Sequence, residues 1–192
     1  MPMNEFFEAF AETVLQSVAR RLGAHLKVGR RRETTHPISW SPPFVGSQRS
    51  LIPDIWLEWQ DTTLIVDAKY KRHWQEMQHN SWASVEDEIR EQHRNDLFQV
   101  LAHGNLASTQ QVITCLLFPC AADLWKDLRR ENRLIHKAEV QARGRSVQLG
   151  LRRMKLRHRL RTPCGLPSSP ARSLLEVEIA ASGCACRKLR PI

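Results

Sequence analysis

Three side chains in the stretch LIPDIWLEWQDTTLIVDAKYK, residues 51–71, have the types and spacing to handle a phosphate: Asp54, Asp67 and Lys69. The stretch reads as two short strands. Ile55, Leu57 and Trp59 alternate with Asp54, Trp56 and Glu58, and Leu64, Val66 and Ala68 alternate with Ile65, Asp67 and Lys69. Side chains two apart on a strand share a face, so Asp67 and Lys69 point the same way. A two-residue turn at Gln60-Asp61 sets Asp54 opposite Asp67, whereas a longer turn shifts that pairing. Opposed side chains in an antiparallel pair lie about 4.5–5.5 Å apart at Cβ, and two like charges held there destabilise the sheet. A cation between them removes the conflict. A divalent metal ion is the leading candidate, because a hard cation such as magnesium takes oxygens from one or two carboxylates and fills its other positions with water and substrate phosphate. Lys69 then faces the same phosphate. The competing reading is a solvated hairpin face, on which acids and bases often alternate. The apolar run LIVDAKY and the proline directly before Asp54 weigh against it.

The elements that must position these groups are legible around the hairpin. From Asn4 to Leu22, Phe7, Phe10, Ala11, Val14, Leu15, Val18 and Leu22 recur at steps of three and four, which predicts an amphipathic helix closed by Gly23. Glu8 falls at the edge of its packing stripe, where it either looks into a site at the sheet's margin or faces solvent. His25 to Val28 is an expected strand. After it come Arg30-Arg31-Arg32 and then THPISWSPPFVGSQRS, a loop in which Pro37, Pro42 and Pro43 exclude regular structure. The arginines with Trp40 and Phe44 could grip a phosphate backbone and stack on bases, or could form a solvated turn.

Beyond the hairpin, His73 to Trp82 has no sustained period and reads as a loop or lid. Ser84-Val85-Glu86-Asp87 reads as a capping box opening a helix from about Val85 to His103, with Gly104 as its stop. On that helix Gln92, Asp96, Gln99 and His103 form one polar stripe, opposite Ile89 and Leu101, and such a stripe is ordinarily a wet face. VITCLLF, residues 112–118, fits a buried central strand ended by Pro119. Ala121 to Asn132 is a further helix, and LIHKAEVQARGRSVQLGL a last hairpin with its turn at Arg143-Gly144. Hairpin, helix and buried strand in this order predict an α/β fold, a mixed β-sheet flanked by helices.

A chain of 192 residues suits one ordinary domain, residues 1–150, and a modest extension, residues 151–192, read as a basic, Pro- and Ser-containing irregular tail. Its charge is uneven. Residues 1–128 hold 13 Lys and Arg against 16 Asp and Glu, whereas residues 129–192 hold 16 against 4. That favours a polyanionic partner, or else a solvated basic tail. No run of about 18 apolar residues could span a bilayer, and the amino terminus is amphipathic and acid-containing, unlike a signal peptide. A cytoplasmic protein with no membrane partner is expected. The cysteines at 115, 120, 164, 184 and 186 are odd in number and scattered, so reduced thiols are expected. His158, Cys164, Cys184 and Cys186 lack the paired C-x2-C spacing of a structural zinc site.

The wording around these residues resembles the PD-(D/E)xK nuclease superfamily, with Pro53-Asp54 as its first motif and Asp67-Ala68-Lys69 as its second. Within it, IPDIWL, LIVDAKYK and NDLFQVLAHG are similar to the nuclease domain of McrC-type proteins from 5-methylcytosine restriction systems, over roughly residues 4–150. The resemblance implies a restriction-endonuclease-like sheet and a metal-dependent DNA endonuclease that hydrolyses phosphodiester bonds with magnesium or manganese. It implies Asp54 and Asp67 as metal ligands, the Ala68 carbonyl as a further ligand, and Lys69 as the cation that positions water or neutralises developing charge. Glu8 would support the metal centre, and Gln99 would orient ligands or DNA from the helix behind it. The family often has tyrosine four residues after that glutamine, where this chain has His103. The implied partners are DNA and a separate GTPase or ATPase motor subunit, since the chain has no G-x4-G-K-[ST] loop. Cutting both strands takes two active centres, so a homodimer is one option. The competing function is non-catalytic nucleic-acid binding through the basic carboxyl-terminal region, with strong salt dependence and no divalent-ion requirement.

Overall fold

The computed structural model, which describes residues 2–71, 82–142 and 145–155, opens on helix α1, Met3–Leu22. Phe7, Ala11 and Val14 form its buried stripe, and Gly23 closes it at φ 63°, a left-handed conformation that costs a residue without Cβ little. The chain continues through β1 (His25–Val28), β2 (His36–Pro37), β3 (Ser50–Leu51), β4 (Ile55–Trp59), β5 (Thr62–Ala68) and α2 (Asp87–Gly104). The last described elements are β6 (Gln111–Cys120), α3 (Ala122–Arg130), β7 (Ile135–Ala142) and β8 (Arg145–Lys155). Six strands form one mixed sheet in the order β1-β4-β5-β6-β8-β7. The three strands β1, β4 and β5 are antiparallel, β6 runs parallel to both β5 and β8, and β7 closes the edge antiparallel to β8. The fold is the mixed α/β sheet flanked by helices that the sequence predicts.

The hairpin register follows the two-residue turn: Trp59 pairs with Thr62 and Ile55 with Val66, and Gln60 takes the positive φ of 51° that the turn requires. Helices cover both faces, which is why β5 and β6 are apolar without alternation. On one face Phe7, Ala11 and Val14 of α1 pack on Ile55, Val66, Ala68, Cys115 and Leu117. On the other, Val100 of α2 and Trp125 and Leu128 of α3 pack on Leu116, Phe118 and Leu149. Each fully buried side chain of this size contributes about 1.5–3 kcal/mol. Burial pushes the Cys115 thiol up to about 12 and the Cys120 thiol up to about 11, so both are inert at neutral pH.

The structure departs from the local signals in several places. Helix α2 begins at Asp87 with Glu86 as its cap, and no side chain caps it, because Ser84 lies in a preceding 3-10 turn. Gly104 does not stop the helix in a left-handed turn; a Cβ there would meet Thr114 Cγ2 at 2.7 Å, so glycine lets α2 approach β6. Pro119 lies inside β6. Its neighbour two residues back, Leu117, accepts from the Lys69 amide, so position 119 faces the side on which β5 has already ended and its missing N–H costs nothing. Pro37 sits in a short ribbon, pairing with Ser50 as His36 pairs with Leu51. Strand β8 stays in the sheet to Lys155, pairing with Cys120, past residue 150. Two residues separate the paired Ala142 and Arg145. The Arg143-Gly144 turn itself, the loop from His73 almost to Trp82, the rest of the basic tail and the zinc alternative all lie outside the described residues. Among the described residues no helix is long and apolar enough to cross a membrane.

Candidate active site

Asp54 is placed by the backbone behind it. The Gly29 amide donates to the Asp54 carbonyl at 2.8 Å, and the buried Thr34 hydroxyl donates to the Pro53 carbonyl at 2.6 Å. Pro53, fully buried and without an N–H to satisfy, is a suitable residue for this tight entry into β4. Across the hairpin the Ala68 amide donates to Asp54 Oδ2 at 2.8 Å, tying the first motif to the second. Gly29 is a spacer here: a Cβ would lie 2.6 Å from the Pro53 carbonyl oxygen and 3.2 Å from Asp54 Cα. Gly29→Ala is expected to cost about 1–3 kcal/mol, the usual range for an overpacked site, and to displace Asp54. Urea unfolding and divalent-ion binding check this, and a variant that matches the parent in both would show that the segment simply retreats.

Asp67 lies in β5 and is 1% exposed; among the described residues neither of its carboxylate oxygens accepts a hydrogen bond. Lys69 continues the pairing one residue past β5, through its amide to the Leu117 carbonyl at 2.9 Å, and so keeps its side chain on the Asp67 face. Its Nζ lies 2.7 Å from Asp67 Oδ2, as an ion pair out of hydrogen-bond alignment, and 3.8 Å from Asp96 Oδ1. It donates to Gln99 Oε1 at 2.9 Å. Lys71, two residues further on, donates to both Asp96 oxygens at 2.8 and 3.1 Å.

The polar stripe of α2 is therefore a wet face only in part, with Gln99 exposed. Asp96 and His103 are buried and Gln99 holds Lys69, because ion pairing with two lysines of the hairpin compensates the acid for leaving water. The structure brings Asp54, Asp67, Lys69 and Gln99 together. Glu8 stands at the margin. Burial raises its pKa and Asp67 adds to the rise, while Arg30 and Lys69 oppose it. Among the described residues no group of three His, Cys, Asp or Glu side chains converges at metal-holding distance, so Glu8 does not complete a three-ligand set.

Burial, then the neighbouring Asp67 charge, pushes the Asp54 carboxyl up to about 8, against the pull of the Ala68 amide. Burial works to lower Lys69, but Asp67, Asp96 and Asp54 outweigh it and the ammonium pKa is raised. Burial also lowers the His103 pKa. Two neighbouring carboxylates, one paired only with the Lys69 ammonium and one whose pKa is raised by burial and by its neighbour's charge, form an all-oxygen donor pair that fits a hard divalent cation with most of its positions left to water and phosphate. An apolar groove of about 640 Å³ opens on the α1 side of the sheet, lined by Leu64, Ile113, Leu117 and Met154 among others, and none of the four site residues reaches it.

Gly29, Thr34, Lys71 and Asp96 escaped the reading of the sequence. For two of them a signal existed: Lys71 continues the alternation of Asp67 and Lys69, and Asp96 lies one helical turn before Gln99. Residues 1–119 match a protein-family model described as McrBC 5-methylcytosine restriction system component. The matched span contains every residue of the site. No curated protein matches the chain.

Proposed function

The chain belongs to the family of McrBC 5-methylcytosine restriction system components, and from that premise we propose that it is a metal-dependent nuclease of the PD-(D/E)xK type, hydrolysing DNA phosphodiester bonds. The observation that carries this reading is the pair Asp54 and Asp67, set beside each other across the hairpin, the first half-buried with one backbone donor and the second fully buried with only the Lys69 ammonium against it. Magnesium or manganese would be held by these two carboxylates with the Ala68 carbonyl as a further oxygen, and Glu8 would support the centre from its margin without completing the set. When bound it supplies Lewis acidity at the phosphate and charge neutralisation at the leaving oxygen.

The protein's own residues divide the remaining work. Lys69, its pKa raised by the surrounding acids, stays protonated at neutral pH and is a fixed positive charge for the phosphate as negative charge develops, not a proton acceptor. Gln99 fixes the direction of that ammonium, and Asp96 shares its charge between Lys69 and Lys71. In this reading the chain is the cutting subunit of a restriction or defence system, served by a separate nucleotide-driven motor, and two copies cut the two strands.

The test incubates supercoiled plasmid with the full chain in magnesium, in manganese and in EDTA, and follows the thermal midpoint of the protein in the same buffers. Nicking with either metal but not in EDTA is expected, with a metal-induced rise in midpoint. Absence of both effects, or cleavage that persists in EDTA, overturns the proposal.

A further inference from the structure

The segment between β2 and β3 ends in an exposed apolar tip. Trp40 is 45%, Phe44 62% and Val45 79% exposed. The tip is held in shape from within: the Ile38 amide donates to the Arg49 carbonyl at 2.8 Å, Trp40 Nε1 donates to the Gln48 carbonyl at 2.8 Å, and the Trp40 and Phe44 rings meet edge to face at 6.1 Å. Ile38, Trp40, Pro43, Phe44, Val45 and Arg49 line a shallow cleft of about 210 Å³. An ordered loop that keeps two aromatic rings in water forgoes their burial, worth about 1.5–3 kcal/mol for a side chain of this size.

The base of the same segment is fastened to the site. Thr34 and Gly29 hold the Pro53-Asp54 backbone, His36 pairs with Leu51, and the His36 ring lies over the Trp56 ring at 5.4 Å. Trp56 shares its strand face with Asp54, so the ribbon rises from the side of the sheet that carries the carboxylates. Charge points the same way: residues 29–51 hold Arg30, Arg31, Arg32 and Arg49 against the single acid Glu33. Aromatic rings beside Arg49, with further arginines at the base of the segment where Arg31 pairs with Glu12 at 2.8 Å, match a stacked base flanked by phosphates.

We propose that the tip formed by residues 38–49 is a base-stacking finger that engages DNA beside the phosphate at the Asp54 and Asp67 site. This rests on the nuclease reading for its location, though not for its binding. Base–aromatic stacking is worth about 1–3 kcal/mol per base, and 1.4 kcal/mol is tenfold in affinity. The Trp40→Ala, Phe44→Ala double variant should therefore bind a fluorescein-labelled DNA duplex with a single-stranded overhang, whose bases are free to stack, about 10- to 100-fold more weakly, while Trp40→Phe keeps most of the affinity.

Binding is measured on the full chain with calcium in place of magnesium and at raised salt, where phosphate contacts by basic residues weaken and stacking does not. In parallel, hydrolysis of bis(p-nitrophenyl) phosphate by the double variant is expected to equal the parent's, because neither ring touches the carboxylates. An unchanged duplex affinity in the double variant overturns the finger. A parent that binds duplex but hydrolyses neither DNA nor the small diester overturns the nuclease reading instead, and the finger is then judged on affinity alone.

Discussion

Asp54→Asn is expected to make the divalent-free protein more stable and to lower its DNA cleavage about 1,000-fold, the scale of losing one preorganised charge at a reacting centre. The amide oxygen of asparagine can still accept the Ala68 N–H that Asp54 Oδ2 accepts at 2.8 Å, so the link between the two motifs survives. What disappears is a titration. Folding raises the Asp54 pKa from 3.8 to about 8, through burial and then the Asp67 charge. The folded chain therefore holds a proton that the unfolded chain has released, and stability falls as pH rises across the window between those two values.

Asparagine carries no such proton, so the variant's advantage grows with pH and is greatest above the upper end of the window. Because the two acids titrate as a pair, an advantage on the order of 1–3 kcal/mol is the reasonable scale, several degrees in thermal midpoint. Magnesium competes with the proton for the same oxygens. It should raise the parent's midpoint most at alkaline pH and the variant's hardly at all. Thermal scans at acid, neutral and alkaline pH, each with and without magnesium, decide the matter. A variant less stable than its parent at alkaline pH would mean that Asp54 is satisfied as an anion without any metal.

Lys69→Met should act with the opposite sign on stability. The ammonium lies 2.7 Å from Asp67 and 3.8 Å from Asp96, with a side chain 14% exposed, so its removal strands buried acids and leaves Lys71 to serve Asp96 alone. Breaking a buried pair by deleting one partner costs about 3–5 kcal/mol, and the residual exposure of Lys69 places this site toward the lower end. Cleavage is expected to fall about 100- to 1,000-fold, because the positive charge aimed at the phosphate is gone. Magnesium should restore part of the lost stability, since it too neutralises Asp67, yet not the activity. Lys69→Arg keeps the charge but cannot present a single compact Nζ to Asp67 and Gln99, so it should be nearly as stable as the parent and still cut poorly. Urea unfolding with and without magnesium, beside single-turnover cleavage, separates these outcomes. Were Lys69→Met as stable as the parent, Asp67 and Asp96 would have to be held by something other than this ammonium.

The two variants test different sources of information in the chain. The alternation through Leu64–Lys69 and a two-residue turn at Gln60-Asp61 suffice to set Asp54 against Asp67, because strand period and turn length are local properties. Helix α1 and its closure at Gly23 are local in the same sense, as is the apolar run of β6. The face that α2 turns inward was not legible: its stripe of Gln92, Asp96, Gln99 and His103 has the pattern of a solvated surface. Burial of Asp96 is decided by Lys69 and Lys71, which arrive from the hairpin some 25 to 30 residues earlier in the chain.

The same division explains the glycines and the proline. Nothing adjacent to Gly29 or Gly104 announces that one must clear the Pro53 carbonyl and the other the Thr114 side chain, since both neighbours are distant in sequence. Pro119 reads as a strand end because a proline cannot donate, and only the position at which β5 stops reveals that no acceptor was waiting for it. Sequence by itself determined which acids and which lysine face one another, through periodicities that need no partner. Tertiary structure alone decided what shields, orients and charges them, because those contacts join segments that no local period relates.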